Sequence, residues 1–214
     1  MKIQLFAFIF FISTNSFAQN IGELFMKVPS QYFKNTLTNK SVTNTVKQKL
    51  LSTQKADGFV LNLYDAKNGY LNFITDTDSE SLAFVMTYWK FSDGFLIAIV
   101  TQNSGMCADI TTEITFLTYK NGQFQDVSKT FMPKLTLKSF EFDPKFAHEI
   151  KKFENHKNIA YWILPQKGKE IKIRSMIYEC NDDFLPKPLN YYTLAPSSLS
   201  KYQLIKKPFN EDDF

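Results

Sequence analysis

Stretches in which β-branched and aromatic residues alternate with polar ones recur along most of the chain, and short glycine-bearing turns separate them. Four such turns stand out: Asp65–Gly69 between FVLNLY and YLNFIT, Ser92–Gly94 between SLAFVMTYWKF and FLIAIVTQ, Lys120–Gln123 between EITFLTY and FQDV, and Gln166–Lys169 between IAYWIL and EIKIRSMIYE. Each puts glycine where a tight turn needs positive φ, flanked by strand-forming residues, which predicts four hairpins. Along the last run, Ile171, Ile173, Ser175 and Ile177 share one face, and Lys172, Arg174 and Met176 share the other. Ile114 and Phe116 alternate less cleanly with Thr115 and Leu117, as suits a central strand. A final strand is predicted at Tyr202–Lys206.

Helical spacing is confined to three places. Ile21–Met26 is a short apolar segment ending near Pro29, and Ser41–Thr53 carries Val42, Val46 and Leu50 near one face. Asp143-Pro144 then opens KFAHEIKKFENH, with Phe146, Ile150 and Phe153 at i, i+4 and i+7; Asp at the N-cap and Pro at N1 define that start. The predicted fold is therefore α+β: an antiparallel β-meander sheet of seven or eight strands, with two or three helices packed on it.

The N-terminus changes the picture. Lys2 precedes an apolar run from Ile3 to Ile12, then a polar stretch, then Ser16-Phe17-Ala18 ahead of Gln19, the pattern of a cleavable signal peptide. At about ten residues the run is short of the roughly 20 that span a bilayer. Cleavage after Ala18 would leave 214 − 18 = 196 residues, expected to form one soluble domain with a short acidic C-terminal tail, in the periplasm or outside the cell. The first cysteine is Cys107, so no cysteine is placed for a lipid anchor at the cut. Charge adds little: 25 Lys+Arg against 21 Asp+Glu, with Arg174 the only arginine. Phosphate- and guanine-reading sites favour the guanidinium fork, so nucleic acid is not expected as a partner.

Candidate chemistry is sparse. In an oxidising compartment the two cysteines, Cys107 and Cys180, are expected to pair; their separation of 180 − 107 = 73 residues makes such a bridge worth about 4 kcal/mol in the chain-entropy account. His148 and His156 lie eight apart, roughly 12 Å along a helix, too far to share a metal, and the string HEIKK lacks the second histidine of a zinc protease. Asp76, Asp78 and Glu80 alternate as in a calcium loop, but loop position 6 is Ser81 and position 12 is Thr87. No nucleophile elbow, Walker loop or dinucleotide fingerprint occurs, and no cofactor or metal is expected. The strand pairs Tyr88-Trp89 and Tyr161-Trp162 place one ring on each side of a sheet; Trp89 and Trp162 are the candidate binding surface.

Three segments carry a family resemblance: IGELFMKVPSQYFKNTLT, the strand-turn-strand SLAFVMTYWKFSDGFLIAIVTQ, and Gly105-Met106-Cys107 leading into ITFLTYKNGQF. On these the chain resembles a family of exported, uncharacterised proteins of Bacteroides-type bacteria, a domain of unknown function. Lys27 and Val28 separate Met26 from Pro29 more widely than in that family. The resemblance carries no catalytic residues and favours a non-enzymatic role. The function expected is that of an exported binding domain for an envelope protein, a glycan or an apolar ligand. The alternatives are a hydrolase whose fold gathers Asp76, Asp78 and His148, and a structural component of the envelope.

Overall fold

A computed structural model describes residues 20–34, 42–75, 80–105, 111–154, 159–175 and 187–213. It opens with helix α1 (Ile21–Lys27), capped by the Asn20 side chain, which accepts from the Glu23 amide at 3.0 Å. A 3-10 turn (Ser30–Phe33) follows, then helix α2 (Asn44–Thr53), whose first turn is closed by the Thr43 hydroxyl. Gln54 ends α2 in the left-handed conformation and returns its amide to Leu50 O at 3.0 Å.

Seven strands then run as an unbroken antiparallel meander: β1 (Lys55–Ala56), β2 (Phe59–Asp65), β3 (Tyr70–Thr75), β4 (Glu80–Phe91), β5 (Gly94–Gly105), β6 (Thr111–Lys120) and β7 (Gln123–Asp126). Three of the four predicted hairpins join neighbours in this sheet, with registers such as Phe91↔Gly94 and Lys120↔Gln123. The fourth belongs elsewhere. After two short helices, α3 (Ser128–Phe131) and α4 (Ala147–Lys151), strands β8 (Ala160–Ile163), β9 (Ile171–Ser175), β10 (Asn190–Pro196) and β11 (Tyr202–Pro208) form a second antiparallel sheet in the order β11-β10-β9-β8.

The reason lies in the long run between β7 and β8. Phe131, Leu137, Phe140 and Phe153 are buried there in one cluster with Leu96, Phe116, Trp162 and Ile173. A segment with that many apolar anchors is held across the face of the first sheet, so β8 begins a new layer above it. The predicted Asp143-Pro144 start is present, with the Asp143 carboxylate accepting from the Lys145 amide at 3.1 Å, but the helix breaks into a 3-10 turn (Pro144–Phe146) and the five-residue α4.

The first sheet is thus covered on both faces. Alternate residues Phe73, Phe84, Met86, Ile97, Ile99 and Leu117 meet α1, the 3-10 turn and α2. Their neighbours Leu96, Ala98, Val100, Ile114 and Phe116 meet the second sheet. This explains the imperfect alternation of β6, where Phe116 and Leu117 are both buried, in opposite cores. The helix-side core is aromatic: Phe25 meets Phe33 edge-on at 5.2 Å, and Phe73 stacks on Phe84 at 5.0 Å. Each such pair adds about 0.5–1.5 kcal/mol beyond simple burial.

One turn is tightly built. Gly94 has φ +153°, and a Cβ there would lie 2.6 Å from the Tyr119 carbonyl oxygen, a backbone atom that cannot swing aside. Gly168 also has positive φ (+89°) but faces open space. Denaturant unfolding should show Gly94→Ala losing about 3 kcal/mol and Gly168→Ala about 1 kcal/mol; equal losses would contradict the packing of the β4–β5 turn against β6.

Candidate functional site

Strand β8 is an edge strand, and its two faces have different fates. Ala160 and Trp162 turn toward the first sheet: the Ala160 carbonyl accepts from Thr112 Oγ1 at 2.8 Å, and Trp162 packs edge-on against Phe116 at 6.5 Å. Trp162 is 6% exposed and Trp89 7%, both within the inter-sheet core, and Trp89 Nε1 donates to the Lys169 carbonyl at 3.1 Å. The binding surface expected on Trp89 and Trp162 is therefore not a free surface. The two rings join the sheets, because each strand presents its tryptophan on the face its apolar neighbours share.

Tyr161, of opposite parity, is only half-buried. Its hydroxyl donates to Gln102 Oε1 at 3.1 Å, and the Arg174 guanidinium, across the β8–β9 register, lies 4.9 Å from its ring centroid. Tyr70 on β3 stands close enough that Tyr161, after burial itself, helps push its hydroxyl above the usual phenol range. Two residues along the same face of β3 is Asn72, whose Oδ1 is buried with no hydrogen-bond partner. The β8 rim thus gathers two phenols, the Gln102 carboxamide and the chain's sole arginine, with the Asn72 carboxamide on the face of β3 that Tyr70 shares.

A second contact fixes this arrangement from the other end of the hairpin. Gln166 Nε2, in the β8–β9 turn, donates to Asp65 Oδ2 at 3.3 Å, in the β2–β3 turn. Asp65 is held below the usual carboxylate range chiefly by the Asn68 side chain, then by the Asn68 amide, with Gln166 and Lys167 adding to the effect. Chemically the rim offers hydrogen-bond donors and acceptors, aromatic faces and one planar cation. Those are the means of recognising a polar ligand, and among the described residues no nucleophile paired with a base accompanies them.

His148 is exposed on α4. Asp76, Asp78, His156, Cys107 and Cys180 lie outside the described residues, as does the predicted signal peptide, and of Glu80 only the backbone is described. Among the described residues no group of three His, Cys, Asp or Glu side chains is placed to hold a metal ion. No described helix is long and apolar enough to cross a membrane. No protein-family model, curated protein or solved structure matches the chain.

The two sides of β8 are separable by mutation. Trp162→Ala should destabilise the protein by about 3–5 kcal/mol, as emptying a core aromatic site does. Tyr161→Phe should cost about 1 kcal/mol or less. Urea unfolding of both variants checks this, and a Trp162→Ala loss as small as that of Tyr161→Phe would refute the core assignment.

Proposed function

We propose that the chain is an exported, non-catalytic binding domain of the cell envelope, and that it recognises a hydroxyl-rich ligand, a glycan, at the β8 rim. The observation that carries this reading is the composition of the rim. Tyr70, Asn72, Gln102, Tyr161 and Arg174 combine carboxamides and a cation with aromatic faces, and Asn72 Oδ1 is an acceptor without a donor. Sugar hydroxyls donate to such acceptors, and the apolar faces of sugar rings stack on tyrosine. An apolar ligand fits less well, since both tryptophans are withdrawn into the core and the most exposed large apolar residues are divided between β2 (Leu63, Tyr64), the residue after α3 (Met132) and the residue before β10 (Leu189). The resemblance to the exported Bacteroides-type family supports the envelope setting.

Calorimetric titration of the purified protein with soluble cell-wall and capsular oligosaccharides tests this. A bound fragment should lose at least tenfold in affinity with Gln102→Ala and with Tyr161→Ala, and none with Lys120→Ala, a lysine on a remote β6–β7 turn. No binding by any fragment, or equal binding by all variants, would overturn the proposal.

Export and the Cys107–Cys180 bridge belong to the same reading. The bridge is supported by where strands end: Asn103 pairs with Thr111, Thr112 bonds Ala160, and Ala160 pairs with Ser175. The strands leading toward the two cysteines therefore finish beside one another. The exported protein should begin at Gln19 by N-terminal sequencing. Its intact mass should not rise on alkylation until reductant is added; alkylation of two thiols without reductant would remove the bridge.

A further inference from the structure

We propose that Lys47 is a pH-responsive latch: its protonation loosens, and its deprotonation fastens, the α1 segment and the 3-10 turn behind it against the first sheet. Lys47 lies on α2 and is fully buried, a rare setting for lysine. Among the described residues its ammonium donates to one acceptor, the Val28 carbonyl just past α1. Two aromatic rings lie beside it, with the Phe33 and Phe25 centroids 5.0 and 5.5 Å from Nζ. A charged ammonium has three N–H groups to satisfy, and here one carbonyl and two ring faces receive them.

Among the described residues no carboxylate forms an ion pair with Lys47. On β1 and β2, against which α2 also packs, Lys55 is exposed, as is Asp57 in the turn between them, and Asp65 is bonded to Asn68. On α1, Glu23 bears on Tyr88 and Lys27 lies 5.6 Å over the Tyr119 ring. Lys34, which follows the 3-10 turn, is exposed, as are Lys49 on α2 and Glu113 on β6, while Tyr32 is half-buried. Burial lowers the Lys47 pKa from 10.5 to about 8. The folded state thus prefers the neutral amine. Below about pH 8 the penalty of the buried charge is fully present, and it fades as pH rises toward 10.5, where the exposed amine also loses its proton.

Outside its own helix, the carbonyl and the two rings that the Lys47 ammonium meets all belong to the segment running from α1 through the 3-10 turn. Lifting that segment returns Nζ to water and strips Phe73 of its contacts with Phe25 and Phe33, and Phe84 of its contact with Phe33. Opening is therefore the proton-linked step.

Amide exchange, corrected for its intrinsic pH dependence, tests the latch. Protection of the Leu24 and Val28 amides should rise about 30-fold between pH 7 and pH 9.5, and the rise should vanish in Lys47→Met. Protection independent of pH, or the same rise in the variant, would overturn the proposal. Titration of the Lys47 amine by heteronuclear NMR in the unaltered protein decides the matter if the variant fails to fold: a midpoint near 8 supports the latch, and a midpoint above 10 refutes it.

Discussion

The structure depends on a single constraint: the central strands of the seven-stranded sheet must be covered on both faces. From Leu96 to Val100 every side chain of β5 is buried. Such a strand cannot lie on a one-sided sheet, because half its apolar surface would meet water at about 25 cal/mol for each Å² exposed. The helices cover one face with α1, the 3-10 turn and α2. Covering the other takes the whole second half of the chain, first the aromatic run from Phe131 to Phe153 and then four more strands.

Two-sided burial also decides where chemistry can sit. With both faces closed, a buried polar group needs a partner within the layers, as Thr87 finds in the Gly69 carbonyl, and the β8 edge is where more such groups gather. Thr112, Gln102 and Asn72 lie on the sheet-facing side of β6, β5 and β3, and the first two bond β8 itself. Tyr161 reaches around that edge to Gln102. The tryptophans follow the opposite rule: Trp89 and Trp162 sit well inside the layer boundary and hold the sheets together. Lys47 is the exception within the helix-side core, a charge where the constraint calls for an apolar group, and its one carbonyl partner makes its protonation state a structural variable.

Much of the fold was legible locally. Glycine turns at positions 69, 94, 122 and 168, period-two runs around them, and the Asp143-Pro144 cap are all determined by neighbours in sequence. The blurred alternation of Phe116 and Leu117 even signalled a doubly covered strand. Three features were not legible, each because it depends on distant partners. Strand β10 is bracketed by Pro188 and Pro196 and reads as loop, yet pairing on both sides with β9 and β11 extends it. The division into two sheets depends on what the β7–β8 run packs against. In the Tyr-Trp pairs, alternation established that one ring faces each way but not which; matching Trp162 to the parity of Ile171 and Ile173 across the hairpin would have placed it inside. Lys47 carried a faint signal as well, since it falls beside Val46 and three residues before Leu50, at the border of the apolar stripe.

The central claim is that the second sheet seals the tryptophans inside and leaves the tyrosine side of β8 as the accessible rim. Hydroxyl-radical footprinting of the folded protein addresses both halves at once. The account predicts that Trp89 and Trp162, despite the high intrinsic reactivity of indole, are oxidised more slowly than Tyr161. Oxidation of either tryptophan faster than Tyr161 would contradict it.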